Sequence, residues 1–196
     1  LGDVYKRQAQ SFIINWVIKM NIFNEGKKQD IAQVLAAKDR RVAVQHKIFN
    51  KYPNQTLVDI NMNIPGPIKN NRYLTKMFML GINELENAWT NLGYHFKLVT
   101  QLNDDSGCEN FYVLSLSIEK VKRSTIDFEN QISLGRLFDA DVLVKNKQAA
   151  ISRRDLGRQP RKCFLCDRPA KECARSRRHS VEQMQAFISQ LYQEYV

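Results

Sequence analysis

The stretch TLVDINMNI, residues 56–64, alternates apolar and polar side chains along its length. Val58, Ile60, Met62 and Ile64 fall on one side, and Asp59, Asn61 and Asn63 on the other. A period of two predicts a strand with one face in a core and one polar face. Pro65-Gly66-Pro67 stops it. Beyond it, Leu74, Met77, Phe78, Leu85 and Trp89 recur at helical spacing and predict a long helix over residues 70–91. Two further strands follow, YHFKLVTQL (94–102) and NFYVLSLSI (110–118), joined by the turn-rich NDDSG. In EKVKRSTIDFENQI, residues 119–132, Val121, Thr125, Phe128 and Ile132 form one helical stripe. A last strand, 138–144, lies within GRLFDADVLV. Upstream, Ile31, Val34, Leu35, Val42 and Ile48 mark a helix over residues 29–50.

The order strand, helix, strand, strand, helix, strand predicts an α+β fold, a ferredoxin-like split βαβ sandwich with an added N-terminal helix. In that topology the first strand lies between the third and the fourth. The helices cover one sheet face and leave the other available.

That open face gives the last strand its interest. With Phe138, Ala140, Val142 and Val144 turned to the helices, Asp139 and Asp141 project together from the other face, about 7 Å apart by strand rise. Two carboxylates at that spacing repel unless a cation sits between them. A magnesium ion carrying a substrate's phosphates is one answer, and a solvated strand edge is the plainer one. Asn61 and Asn63 from the first strand, with Ser115 and Ser117 from the third, are expected on the same face and make it a polar patch.

Composition narrows the partners. The chain has 196 residues, 43% hydrophobic and 26% charged, with a net charge of +10. A basic balance of this size implies an anionic partner. There is no uncharged apolar run of about eighteen residues to span a membrane. Residues 1–19 read as a non-native leader: LGDVYKRQ lacks a starting methionine, and no small-residue cleavage site follows the apolar AQSFIINWVIK. Residues 20–156 then form the catalytic core. Without an export signal the expected setting is cytoplasmic.

Residues 157–196 have another character. From Arg153 to Arg178 there are ten Lys or Arg against three acids, interrupted by Cys163, Cys166, Cys173 and His179 as C-x2-C-x6-C-x5-H. Three thiolates and an imidazole can close a tetrahedral zinc shell; a disulfide with a spare thiol, or plain reduced cysteines, are the alternatives. After His179, Ser180 and Gln183 make a capping box. Val181, Met184, Phe187, Ile188, Leu191 and Tyr195 give the following helix an apolar stripe for docking on the core. His46 and His95 have no comparable setting.

NIPGPIKN, GRLFDADV, ISRRDLG and the C-x2-C segment ending in CARSRRH, in that order, resemble the holo-citrate lyase synthase family from about residue 30 to the C-terminus. The resemblance implies a transferase that moves phosphoribosyl-dephospho-coenzyme A from triphosphoribosyl-dephospho-coenzyme A to a serine of the apo citrate lyase acyl carrier (gamma) subunit, with release of pyrophosphate. GRLFDADVLV is also similar, more distantly, to the metal-binding strand of pterin pyrophosphokinases, a fold-level analogy. Chemically, Asp139 and Asp141 would hold Mg2+ (inferred). Arg136, Arg153 and Arg154 are candidate phosphate clamps because guanidinium matches phosphate oxygens bidentately. Lys69 is a further candidate, with Asn61 and Asn63 beside the substrate. Zn2+ on the cysteine cluster would be structural. Two other classes keep part of the pattern: another nucleotidyl or pyrophosphoryl transferase using the same acids, and a basic zinc-containing nucleic-acid module. The latter needs aromatic residues among the arginines for base stacking, and the segment offers only Phe164.

Overall fold

The computed structural model describes residues 20–147 and 149–196. The reading of residues 1–19 as a leader lies outside the described residues. The chain forms a mixed α+β architecture around one four-stranded antiparallel sheet. Its elements are α1 (Ile31–Lys51), β1 (Thr56–Met62), α2 (Arg72–Asn91), β2 (Phe96–Asp104), β3 (Gly107–Leu114), α3 (Ile118–Gln131), β4 (Phe138–Leu143), the short α4 (Ala170–Arg175) and α5 (Val181–Tyr195). The sheet order is β2-β3-β1-β4, which puts β1 between β3 and β4.

Alternation sorts each strand cleanly. Val58 and Ile60 of β1, Tyr112 and Leu114 of β3, and Phe138, Ala140 and Val142 of β4 enter one core with Leu74, Met77, Leu85 and Trp89 of α2 and Val121 and Phe128 of α3. Trp89 is fully buried and donates its indole N–H to Ser124 Oγ at 3.0 Å, so its one polar atom is satisfied. A Cβ on Gly81 would stand 2.3 Å from the Phe138 ring, so a glycine there lets α2 approach β4. At Gly66, in the turn after β1, φ is 86° and a Cβ would strike Gln185 of α5 at 2.6 Å.

The opposite sheet face is not wholly open, which corrects the expectation that helices cover one face alone. The added helix α1 lies over it, and Ile48, with Val44 and Phe49 beside it, closes a second, smaller core on Leu57, Phe111 and Val113. The apolar stripe that marked this helix is only partly what it buries: Ile48 is buried and Val34 half-covered, but Ile31 is 81% exposed, and Leu35 and Val42 also face solvent. Val34, Ala37, Arg41, Val44, Gln45, Ile48 and Phe49 are its partly or fully covered positions, a stripe of mixed polarity at helical spacing. Asp30 starts α1 with a full capping box to Gln33.

α5 also begins with the expected capping box, Ser180 with Gln183. It docks through Ile188 and Leu191 in the main core, through Phe187 stacked on Phe164, and through Gln185 donating to the Pro65 carbonyl at 3.1 Å. Ile22 and Phe23, before α1, are buried in the same core. No helix among the described residues is long and apolar enough to cross a membrane.

Candidate functional site

β1, β3 and β4 bring acids to the α1-facing side of the sheet. Asp59 lies opposite Asp141, and Asn61 opposite both Asp139 and Glu109. Asp139 is half open, its side chain 51% exposed, whereas Asp141 is partly covered and Asp59 fully buried. A cavity of about 330 Å3 opens between α1 and this face, lined among others by Asn61, Asn63, Lys69, Arg41, Glu109 and Asp139. Sequence reasoning expected Ser115 and Ser117 here. β3 ends at Leu114, and Ser117 is the N-cap of α3, accepting from the Lys120 amide. The residue β3 delivers is Glu109.

Three residues of this patch carried no signal as a site. Arg41 of α1 reaches down to pair with Glu109 and stands 3.7 Å from Asp59 Oδ2. Gln45, one turn on, donates to the same Asp59 oxygen at 2.7 Å. The other oxygen of Asp59, Oδ1, is buried with no hydrogen-bond partner. Burial, reinforced by the hydrogen bond and charge of Glu109 and opposed by Arg41 and Gln45, pushes the Asp59 carboxyl up to about 9. Burial first, and then the charge of Asp139, also raises Asp141.

The Asp59 shift has a consequence for stability. The folded protein keeps a proton that the unfolded chain releases near pH 4, so the contribution of Asp59 to stability falls as pH rises from about 4 towards 9 and is constant beyond either end. Asp59→Asn keeps the shape and an acceptor for Gln45. It is expected to flatten the decline, and to melt at or above the native temperature at alkaline pH. Thermal melts across a pH series check this; a variant with the native slope would show that Asp59 is already ionised in the fold.

The basic candidates divide. Lys69 lines the first cavity and donates to the Ile64 carbonyl at 2.8 Å; burial, then the charge of Lys38, lowers its pKa. Arg136 donates to the carbonyls of Lys162 and Cys163, which ties the cysteine segment to the turn before β4. Arg153 pairs with buried Glu129 of α3, and Arg154 is exposed in the turn Arg154–Leu156. Arg161, absent from the sequence candidates, bridges Glu129 at 2.9 Å and Asp139 at 3.3 Å. On the edge strand β4, Lys122 of α3 donates to the Ala140 carbonyl at 2.7 Å, capping a backbone group that an edge leaves free.

Cys163, Cys166, Cys173 and His179 converge, with all four ligand atoms within 4.8 Å of one another. Cys166 Sγ lies 3.4 Å from Cys173 Sγ and 3.3 Å from His179 Nε2. Bonds of about 2.3 Å to a tetrahedral centre separate their ligands by a little under 4 Å, close to these distances. None of the four cysteines is in a disulfide. The cluster can hold a metal ion. His46 and His95 are both solvent-exposed.

Residues 29–195 match the family described as apo-citrate lyase phosphoribosyl-dephospho-CoA transferase. The chain belongs to that family. It is 36% identical over 172 residues to a probable apo-citrate lyase phosphoribosyl-dephospho-CoA transferase of Streptococcus pyogenes serotype M18, covering 87% of this chain and 88% of that protein. The enzyme of that name from Escherichia coli O1:K1 is 33% identical over 77% of this chain and 81% of its own. Protein CitXG of Leuconostoc mesenteroides subsp. cremoris is 31% identical over 90% of this chain, which spans only 38% of that longer protein. The matched span takes in β1 to β4, the cavity on the α1 side and the cysteine cluster. Membership makes the chain a transferase.

Proposed function

We propose that this transferase moves phosphoribosyl-dephospho-coenzyme A from triphosphoribosyl-dephospho-coenzyme A to a serine of the apo citrate lyase acyl carrier subunit, releasing pyrophosphate. The observation that supports it most is the pair Asp139 and Asp141 on one sheet face, beside a cavity and among cations, within a chain that matches the family over nearly its whole described length. The sheet order β2-β3-β1-β4 with its βαββαβ chain order supports reading the core as ferredoxin-like.

In the reaction the serine oxygen forms a bond to the phosphorus next to the ribose. The bond from that phosphorus to the bridging oxygen of pyrophosphate breaks, and the serine proton is lost to solvent or base. Such transfers depend on positioning and on neutralising charge. The carboxylates of Asp139 and Asp141 suit magnesium, a hard cation that prefers oxygen ligands. Burial and the neighbouring Asp139 disfavour the charge of Asp141, a cost that a bound cation would offset. Magnesium held there would stabilise charge on the departing pyrophosphate. Arg136, Arg153 and Arg154 act as phosphate clamps beside it, and Lys69, Asn61 and Asn63 line the approach on the α1 side. Zinc is the metal assigned to the cysteine cluster, since three thiolates and an imidazole in tetrahedral array suit it. The reading as a nucleic-acid module loses ground, because Phe164, the aromatic of the basic segment, is stacked on Phe187.

Incubation with triphosphoribosyl-dephospho-coenzyme A, magnesium and the apo carrier subunit is expected to add the mass of phosphoribosyl-dephospho-coenzyme A to one serine, seen by intact-mass and peptide mass spectrometry. An unchanged carrier mass with fresh components would sink the proposal.

A further inference from the structure

A second cavity, of about 520 Å3, lies between the end of α3 and residues 157–162. Five cationic side chains line it, Arg136, Arg153, Arg158, Arg161 and Lys162, against one carboxylate, Glu129. Glu129 is buried and engages Arg153, Arg161 and the Ala140 amide. Arg136 meets the carbonyls of Lys162 and Cys163 through Nη2 alone. Arg158 stands exposed at the rim, and Lys162 reaches only an exposed Asp167 at 3.5 Å. So many cations around one cavity repel one another, and a polyvalent anion would relieve the repulsion. Guanidinium forks meet phosphate oxygens two at a time.

The position matters as much as the charge. Arg161 lines the second cavity, and the Asp139 it touches lines the first. One ion pair is therefore the boundary between the two cavities. We propose that the second cavity binds the linear polyphosphate end of the donor, through Arg153, Arg158 and Arg161, without need of magnesium. Arg161 then gives up Asp139 to the phosphate and leaves that carboxylate free on the side of the first cavity. The pyrophosphate left after transfer occupies the same seat. This deepens the transferase reading and rests on it for the identity of the donor, while the anion site itself rests on the cavity.

The test uses inorganic tripolyphosphate, titrated calorimetrically into the whole zinc-loaded protein in buffer without magnesium or chelator. One saturable site is expected. Arg158→Gln should weaken it about tenfold, the scale of a lost charged hydrogen bond, and Arg158→Gln with Arg161→Gln further still. Arg175→Gln, an exposed arginine of α4 outside the cavity, should leave it unchanged. Because Arg158 is exposed, its variant tests the site even if loss of Arg161 harms the fold. Absence of binding without magnesium, or equal weakening by Arg158→Gln and Arg175→Gln, would overturn the proposal. Binding that follows the expected pattern in a protein that transfers nothing to the carrier would sink the transferase reading and leave the anion site standing. Transfer by an Arg158→Gln enzyme with unaltered tripolyphosphate affinity and donor KM would do the reverse.

Discussion

Asp141→Asn and Asp139→Asn enzymes are each expected to transfer the prosthetic group about a hundredfold to a thousandfold more slowly than the native protein. The figure corresponds to about 3 to 4 kcal/mol of lost transition-state charge stabilisation. Asparagine keeps the size and the strand register but removes the charge that would hold magnesium. Excess magnesium should then recover part of the rate, because a weakened site is filled by mass action. Stability separates this role from a structural one. Asp141 is held partly covered beside Asp139, and both burial and that neighbour disfavour its charge. Neutralising it should leave the melting temperature equal or slightly higher. Asp139 is half exposed, so losing its contact with Arg161 costs little. A variant that is slow, stable and rescued by magnesium fits a metal-holding pair. Variants with near-native rates at limiting magnesium would mean that the two aspartates only decorate the sheet.

How much of this was legible in the sequence depends on which physical signal each residue carried. β1 and β4 are read directly because their alternation has a period of two, and the same pattern puts Asp59, Asp139 and Asp141 on one face. The aspartates sit next to one another because β1 lies between β3 and β4, which follows from the order of elements. Glu109 escaped because β3 begins at Gly107, earlier than its apolar stretch suggests, and strand register is a matter of pairing that one sequence does not display. Arg41 and Gln45 escaped for a different reason. Periodicity equates apolar with buried, and α1 breaks that equation by covering acids with a polar stretch while Ile31 and Leu35 face solvent. Such local conflict between pattern and placement is expected at functional surfaces. Arg161 was one cation in a basic run, and nothing in a run singles out the member that meets Glu129. The cysteine spacing, by contrast, was enough to bring four ligand atoms together.

That cluster carries the other large expected effect. Purified reduced protein should contain about one zinc per chain by elemental analysis, and Cys166→Ser should lower both zinc content and stability. The reason lies in how little else holds residues 157–179. Within the segment the regular pairing is the single bridge Lys162–Pro169, and α4 is only six residues long. A helix that short does not stand alone. Structural zinc sites in small domains contribute apparent free energies of about 10 kcal/mol or more to folding, so losing one thiolate outweighs the few hydrogen bonds that remain. The loss should also spread. The Arg136 bonds to Lys162 and Cys163 anchor this segment to the turn before β4, and Phe164 stacks on Phe187 of α5. Unfolding at the cluster would loosen α5 and the cationic wall that Arg158 and Arg161 supply. Chelation of the native protein should therefore lower the thermal midpoint and increase protease cleavage between residues 157 and 180, ahead of the sheet. A metal-free protein with an unchanged melt and an intact segment would show that the four side chains meet without holding structural zinc.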